Sequence, residues 1–373
     1  MKRNKPKMFD ARFLVVGQGL AGTVLVDALL ERGQSVHIAD QHMVGAASKA
    51  AAGIWNPLTA RTLQESWRFS TFMPLALQYY QKKCAERKID PPRPLPLLKA
   101  LPNQHSLDHW NRTADTDGSS CEKSNGPPPS EYADQLHIGP YCGWVKGAGQ
   151  LNVAAFIEAA RRDFIELGIL QESFFQSKSV EWMPPNIVMP QGGLKWNNNT
   201  YEYLLLARGH QERFDPFFGW LPFNPAQGEL LEATSTDLQI PFIVHASGFL
   251  LPLGAHRYLL GSTYEWDELS PTPTEKGLRE LMRIKQGITP LNLQIDAQLS
   301  GIRPTVADRR PLIGAHPAQQ NLYIFNGLGT KGVSMAPAMA QMLVDHLLKG
   351  CNLLPEIDIQ RFLGRYRRSN HQA

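Results

Sequence analysis

The sequence predicts an α/β fold in two parts, one built on a parallel, helix-covered sheet and the other on an antiparallel sheet. Three observations carry that expectation. A glycine-rich turn sits between two apolar strands near the start of the chain, a second closes a strand at residues 326 to 332, and short proline-punctuated runs fill residues 213 to 299. At 373 residues the chain exceeds one comfortable core, so two domains are expected.

Hydrophobic residues make up 43 % and charged residues 19 %, which excludes a disordered chain. The net charge of +4 gathers at the ends, at Lys2, Arg3, Lys5 and Lys7 and at Arg361, Arg365, Arg367 and Arg368. These read as solvated tails, and a nucleic-acid partner is not expected from them. Cys84, Cys121, Cys142 and Cys351 show neither C-x-x-C pairs nor metal-ligand spacing, so reduced thiols, a cytoplasmic location and no metal are expected. The basic "MKRNKPK" leads into an apolar run too short for a signal peptide, and no stretch is long enough for a membrane span.

"FLVVGQGLAGTVLVDALLERGQSVHIAD" reads as strand, glycine turn, helix and strand, with Gly17, Gly19 and Gly22 in a G-x-G-x-x-G turn and Asp40 ending the second strand. Each glycine has a mechanical role: a tight turn, close approach of backbone to a pyrophosphate, and packing of helix on strand. The free N–H groups of the helix start suit phosphates, and the acid suits ribose hydroxyls over a 2′-phosphate. A Rossmann-like domain for NAD or FAD is therefore expected. The following "QHMVGAASKAAAGIWNP" is small and nearly uncharged, so its backbone can lie against a flat ligand, and Ser48 and Lys49 can reach a pyrophosphate.

"GQLNVAAFIEAARRDFIELG" has apolar positions three and four apart and predicts an amphipathic helix, followed by short β-segments in "SKSVEWM" and "TYEYLLLARG". Runs such as "PFIVHASGFLLPLGAHRYLLGSTYE" alternate as antiparallel strands do. Residues 103 to 140 are polar and read as a long surface insertion or lid.

"VVGQGLAG", "AASKAAAGIWNP", "YLLLARG", "GIRPTVADRRPLIG" and "NGLGTKGVSMAP" together resemble, in order and spacing, the D-amino-acid oxidase family of FAD-dependent oxidoreductases, and most closely its glycine oxidase-like members. The resemblance covers roughly residues 12 to 350. It implies a discontinuous FAD-binding domain (10–75, 145–212 and 300–368) with an inserted antiparallel substrate or cap domain (76–144 and 213–299), and tails at 1–9 and 369–373. It also implies non-covalent FAD, since "GIRPTVADRRP" holds no cysteine where sarcosine oxidases tether their flavin.

Carried over residue by residue, the implied FAD contacts start at Gly17, Gly19, Leu20, Ala21 and Gly22, with Asp40 and Gln41 at the ribose and Ser48 and Lys49 at the pyrophosphate. Gly53, Ile54 and Trp55 fall near the isoalloxazine, Val180 at the adenine, and Gly209 closes "YLLLARG". Leu328, Gly329, Thr330, Lys331 and Gly332 cap the flavin end, where a helix N-terminus and a lysine would stabilise negative charge on the reduced ring.

Arg303 matches the family arginine that grips the substrate carboxylate in a two-pronged pair; on its residues alone it could equally be a surface arginine or a partner of Asp308. Phe249 stands where glycine oxidases carry a tyrosine, and Thr330 where they carry an arginine, which points away from glycine toward a bulkier or more apolar amine. His245 could replace a lost polar contact or be a structural histidine. The implied reaction is hydride transfer from a neutral amine to flavin N5, with no acid–base residue nominated and with O2 or another electron acceptor reoxidising the flavin. Two alternatives stand beside it. One is the oxidase-like half of tRNA wobble-uridine modification, for which a fused methyltransferase does not fit in 373 residues. The other is a non-catalytic FAD-fold binding protein.

Overall fold

The computed structural model describes residues 10 to 370 apart from 42, 60, 61, 117 to 122, 127 and 188. The basic residues at 2 to 7 and Cys121 lie outside the described residues. Seven helices are described: α1 (Leu20–Glu31), α2 (Phe69–Glu86), α3 (Gln104–Thr116), α4 (Val153–Glu166), α5 (Glu275–Ile288), α6 (Gly332–Lys349) and α7 (Leu363–Asn370).

The first sheet has six strands in the order Leu312–Ala315, Leu322–Asn326, Tyr203–Leu206, Phe13–Val16, Val36–Asp40, Leu170–Glu172. All neighbours run parallel except the first pair. Phe13–Val16 and Tyr203–Leu206 are buried along their whole length, as strands covered on both faces must be. Helices α1 and α6 pack side by side on this sheet, and their apolar faces merge into one core with Phe13, Val15 and Leu205. Arg32 at the end of α1 donates to Asp345 (2.7 Å) and Gln341 (3.1 Å) on α6, fixing the register between the two helices. Helix α2 is anchored by a buried ion pair just past its C-terminus, Arg87 to Asp27 of α1 at 2.7 Å.

The second sheet has eight strands in the order Gln294–Arg303, Ala226–Thr234, Arg257–Gly261, Phe249–Gly254, Ile243–His245, Leu97–Leu101, Tyr141–Val145, Lys123–Gly126. It is antiparallel as expected but for one pair: Ile243–His245 runs parallel to Leu97–Leu101. These two strands come from separate chain segments, so no hairpin imposes opposite directions. Alternation divides the strands between two faces. Leu98, Val244, Leu250 and Leu260 point to the face covered by Leu281, Ile284 and Ile288 of α5, while Lys99, His245, Phe249 and Gly261 share the other face.

Two expectations are corrected. The polar stretch from 103 to 140 is not simply a surface flap: α3 and the edge strand Lys123–Gly126 build part of it into the second sheet, and Trp110 is fully buried over Gly143, where a Cβ would meet its ring at 2.3 Å. The C-terminal basic residues are not all a solvated tail either. Arg361 bonds Asp308 at 2.9 Å and the carbonyls of Pro311 and Asp358, and residues 369 and 370 belong to α7. No helix among the described residues is long and apolar enough to cross a membrane.

Candidate active site

Helix starts differ across the fold, and α2, like the two helices of the site, has no side-chain cap on its N-cap residue. Helix α4 is capped by Asn152, whose Oδ1 accepts from Ala155 N (3.1 Å), and α5 by Thr274, whose Oγ1 accepts from Gly277 N (2.9 Å). Such a cap is worth about 1 kcal/mol. Helices α1 and α6 begin at the two glycine loops, and neither has a side-chain cap. Their first N–H groups and the positive ends of their dipoles suit an anionic ligand.

At the first loop, Gly17 has φ +99°, and a Cβ on Gly22 would lie 1.8 Å from Gly17 O, so the turn closes only with glycine at both positions. Leu20 N donates to Ser48 Oγ (3.0 Å), which brings the 46–50 segment to the start of α1; Ala21 is half-buried beside it and Lys49 is exposed on the same turn. The Asp40 carboxylate accepts from Gln18 N (2.8 Å) and from Arg161 Nη1 (2.8 Å) at the end of its strand, with Gln41 exposed next to it. Two of its roughly four acceptor positions remain. Val180 is buried in one cluster with Val16 and Ala39, close to this strand end. Gly209 has φ +61° with open space where a Cβ would be, and its carbonyl accepts from Asn326 Nδ2 (2.9 Å).

The late loop lies against the first. A Cβ on Gly332 would be 3.4 Å from Leu20 Cδ2, and Leu328 packs in the same core as Leu20. Gly329 has φ +53° and faces Thr305, whose N–H bonds Arg303 O (2.9 Å), so the loop also abuts the strand end that carries Arg303. Thr330 is exposed. Lys331 Nζ donates to Asn56 O (3.3 Å), and burial brings its ammonium down to about 8. A desolvated cation whose hydrogen-bond partner among the described residues is one weakly held carbonyl leaves room for an anion beside it. Gly53, at φ +70°, sits so tightly that a Cβ would come 1.8 Å from Leu151 O. Ile54 is half-buried, whereas Trp55 is consumed by the core, its Nε1 donating to Gly147 O (3.0 Å). A ligand contact at Trp55 would have to come from the backbone.

Together the two uncapped helices, the glycine turns and the uncompensated lysine fit an extended dinucleotide with a phosphate middle and an electron-rich far end.

Arg303 ends the edge strand Gln294–Arg303, with its guanidinium over Gly228, where a Cβ would come within 1.9 Å of Nη2. It does not pair with Asp308, which binds Arg361. Its bonds are long ones to the carbonyls of Gln227 (3.3 Å) and Thr263 (3.4 Å), and it stacks on the half-exposed Tyr264 ring, 4.4 Å from the centroid. Burial lowers its pKa, but a guanidinium stays charged at any working pH. His245 bonds Lys99 Nζ through Nδ1 (2.9 Å), and burial with the neighbouring Lys99 and Lys331 brings its pKa down to about 3. It is therefore neutral, and Lys99 is the donor. Phe249 lies across from His245 in register and is half-buried.

Sequence reading missed Gly228, Tyr264, Lys99, Asn56 and Arg161. Asn56 lies inside the motif "AASKAAAGIWNP" but contributes only its backbone carbonyl, and the other four lie in none of the five family motifs; each enters through strand register or loop packing. Among the described residues, no group of three or more His, Cys, Asp or Glu side chains could hold a metal ion.

The model of the family described as FAD dependent oxidoreductase, DAO, matches residues 12 to 346. The chain is 23 % identical, across 96 % of its length, to the tRNA 5-methylaminomethyl-2-thiouridine biosynthesis bifunctional protein MnmC of Idiomarina loihiensis, and 27 % identical, across 58 % of its length, to glycine oxidase of Bacillus subtilis. It spans 60 % and 55 % of the lengths of those relatives. Among solved structures it is similar to an iminodiacetate oxidase from Chelativorans, with TM-score 0.76, 18 % identity and coverage of 94 % of this chain and 98 % of that one. It is also similar to glycine oxidase from Geobacillus kaustophilus, with TM-score 0.75, 20 % identity and coverage of 94 % and 97 %. At these identities the structural likeness establishes the fold.

Proposed function

The chain belongs to the family of FAD-dependent oxidoreductases, and from that premise we propose that it oxidises the carbon–nitrogen bond of a small amine or amino acid whose carboxylate is held by Arg303. The observation that carries this reading is a largely buried guanidinium that, among the described residues, makes two long carbonyl bonds, stacks on the Tyr264 ring and has no carboxylate partner. A substrate carboxylate would supply the bidentate acceptor that this cation lacks.

FAD, when bound, supplies a two-electron acceptor for the hydride leaving the carbon beside nitrogen. The rest is positioning by the chain. Gly17, Gly19, Gly22 and Ser48 would hold the pyrophosphate and Asp40 the ribose, while Lys331 and the start of α6 would hold the electron-rich edge of the ring. Phe249 would wall the substrate with an apolar face. His245, neutral and bonded to Lys99, is not an acid, so the amine must arrive neutral and correctly oriented.

Anaerobic mixing of the purified holoprotein with a panel of amines and amino acids tests this reading. Bleaching of the flavin by amines that carry a carboxylate, and loss of that bleaching in Arg303→Met, is the expected result. No bleaching by any member would reject it.

A second reading, action on an amine group of a modified tRNA nucleoside, is favoured by the likeness across 96 % of the chain to a tRNA-modifying relative. Salt-sensitive retention of the protein on tRNA would support it; passage at low salt would exclude it.

A further inference from the structure

The face of the second sheet that carries the candidate substrate site extends well past it. Lys99, His245, Phe249 and Gly261 lie side by side in register on four adjacent strands. Three strand spacings separate Lys99 from Gly261, about 14 Å between backbones, and Arg303 bonds the carbonyl of Thr263, two residues beyond Gly261. Lys99, His245, Phe249 and Arg303 all remain partly open to solvent, while the alternate residues Leu98, Val244 and Leu250 are sealed in the opposite core. This partly open face carries a cation toward each end, Lys99 and Arg303.

Among the described residues the far cation has no acid to satisfy it. Lys99 Nζ donates to the neutral His245 ring, and burial holds its pKa down to about 8. Beyond Lys99 opens a cavity of about 1120 Å³, between α3, the 137–139 segment and the 246–247 turn. His105, His109 and His137 line it with Lys99 and two serines, and no Asp or Glu does. A mono-acid substrate at Arg303 would leave both the cavity and its lysine unused.

We propose that the amine oxidised here carries a second anionic group, a carboxylate or a phosphate, on an extended arm that lies along Phe249 and His245 and ends at Lys99 in the histidine-lined cavity. The proposal rests on the amine-oxidising function above, and it makes the enzyme selective for elongated dianionic amines over small amino acids. A charge-assisted hydrogen bond formed only by the longer substrate is expected to raise kcat/KM about tenfold or more.

Three matched series test it with the holoenzyme: N-alkylglycines, N-(ω-carboxyalkyl)glycines and N-(ω-phosphonoalkyl)glycines of increasing arm length. In one or both charged series kcat/KM should pass through an optimum at which it exceeds the uncharged partner of equal length by about tenfold or more, and comparison of the two charged series identifies the anion. Lys99→Met should erase that advantage, so that charged and uncharged partners of equal length react alike, and Lys99→Arg should retain part of it. Parallel series, or an advantage indifferent to Lys99→Met, would overturn the proposal. Non-oxidisable α,ω-dicarboxylates, read through their perturbation of the flavin spectrum, separate this failure from failure of the parent reading. If no glycine derivative bleaches the flavin, amine oxidation fails; Lys99-dependent preference for long dicarboxylates over monocarboxylates would still uphold the second anion site, and its absence would reject it.

Discussion

The guanidinium carbon of Arg303 lies 4.4 Å from the centre of the Tyr264 ring. The same side chain lies over the bare backbone of Gly228. An aromatic face and a missing Cβ thus fix the plane of a fork that a lysine cannot mimic. Arg303→Lys should weaken the transition state for carboxylate-bearing amines by about 2–5 kcal/mol, roughly thirtyfold or more in kcat/KM, and leave uncharged amines unaffected. Steady-state kinetics on matched pairs checks this; an equal loss for both classes would remove the anchor.

Gly228→Ala should act through that arginine. Its Cβ would fall 1.9 Å from Nη2, so either the guanidinium or the strand must give way. The variant should hold its flavin normally and show a raised KM for carboxylate substrates. Lost flavin with unchanged KM in the remaining holoenzyme would place Gly228 elsewhere in the mechanism.

The first loop predicts the opposite split. Gly22→Ala sets a Cβ 1.8 Å from Gly17 O and must spread the turn at the start of α1. The expected product is a folded protein with little bound flavin, measured by flavin released per polypeptide beside a native-like circular dichroism spectrum. Full flavin content would show that this turn does not hold the cofactor.

Lys331 links stability to pH. Burial brings its pKa from the ordinary 10.5 to about 8. Below pH 8 the flavin-free protein bears the cost of a buried charge, about 3 kcal/mol from that displacement. Between about 8 and 10.5 the unfolded chain holds a proton that the folded chain has lost, so stability rises with pH across this window. Lys331→Met should therefore raise the melting temperature of the apoprotein at pH 7, with the gain gone by pH 10.5, while loosening flavin binding. A destabilised apo variant at pH 7 would contradict the assignment.

The ion pair between Arg87 and Asp27 gives a control remote from the chemistry. Both side chains are buried, and Tyr79 Oη donates to the same carboxylate at 2.6 Å. Arg87→Met leaves a buried carboxylate without its cation and should cost about 3–5 kcal/mol of stability, read by denaturant unfolding, with kcat/KM unchanged.

The sequence made legible those parts of the site that local chemistry dictates. The turn at Gly17 to Gly22 needs positive φ and close packing, so it leaves glycines at fixed spacing; Asp40 and the loop at Leu328 to Gly332 are readable because each ends or follows an apolar strand. Gly228, Tyr264 and Lys99 were not legible, since nothing near them in the chain specifies that Arg303 will lie over one, stack on the second and share a sheet face with the third. The one parallel pair in the second sheet was hidden for the same reason, because register between distant segments is set by tertiary packing. Trp55 shows the converse: its motif position was readable, but the burial of its ring against Gly149 was not.

The central claim is that the loops at Gly17 and Lys331 bracket a single FAD, with Arg303 facing its ring. A crystal structure of the holoprotein with a non-oxidisable carboxylate tests it most directly. The account predicts the pyrophosphate at the start of α1 beside Ser48, the flavin edge at Lys331 and the start of α6, and the carboxylate on the Arg303 fork. Flavin density away from either loop, or a carboxylate bound remote from Arg303, would contradict it.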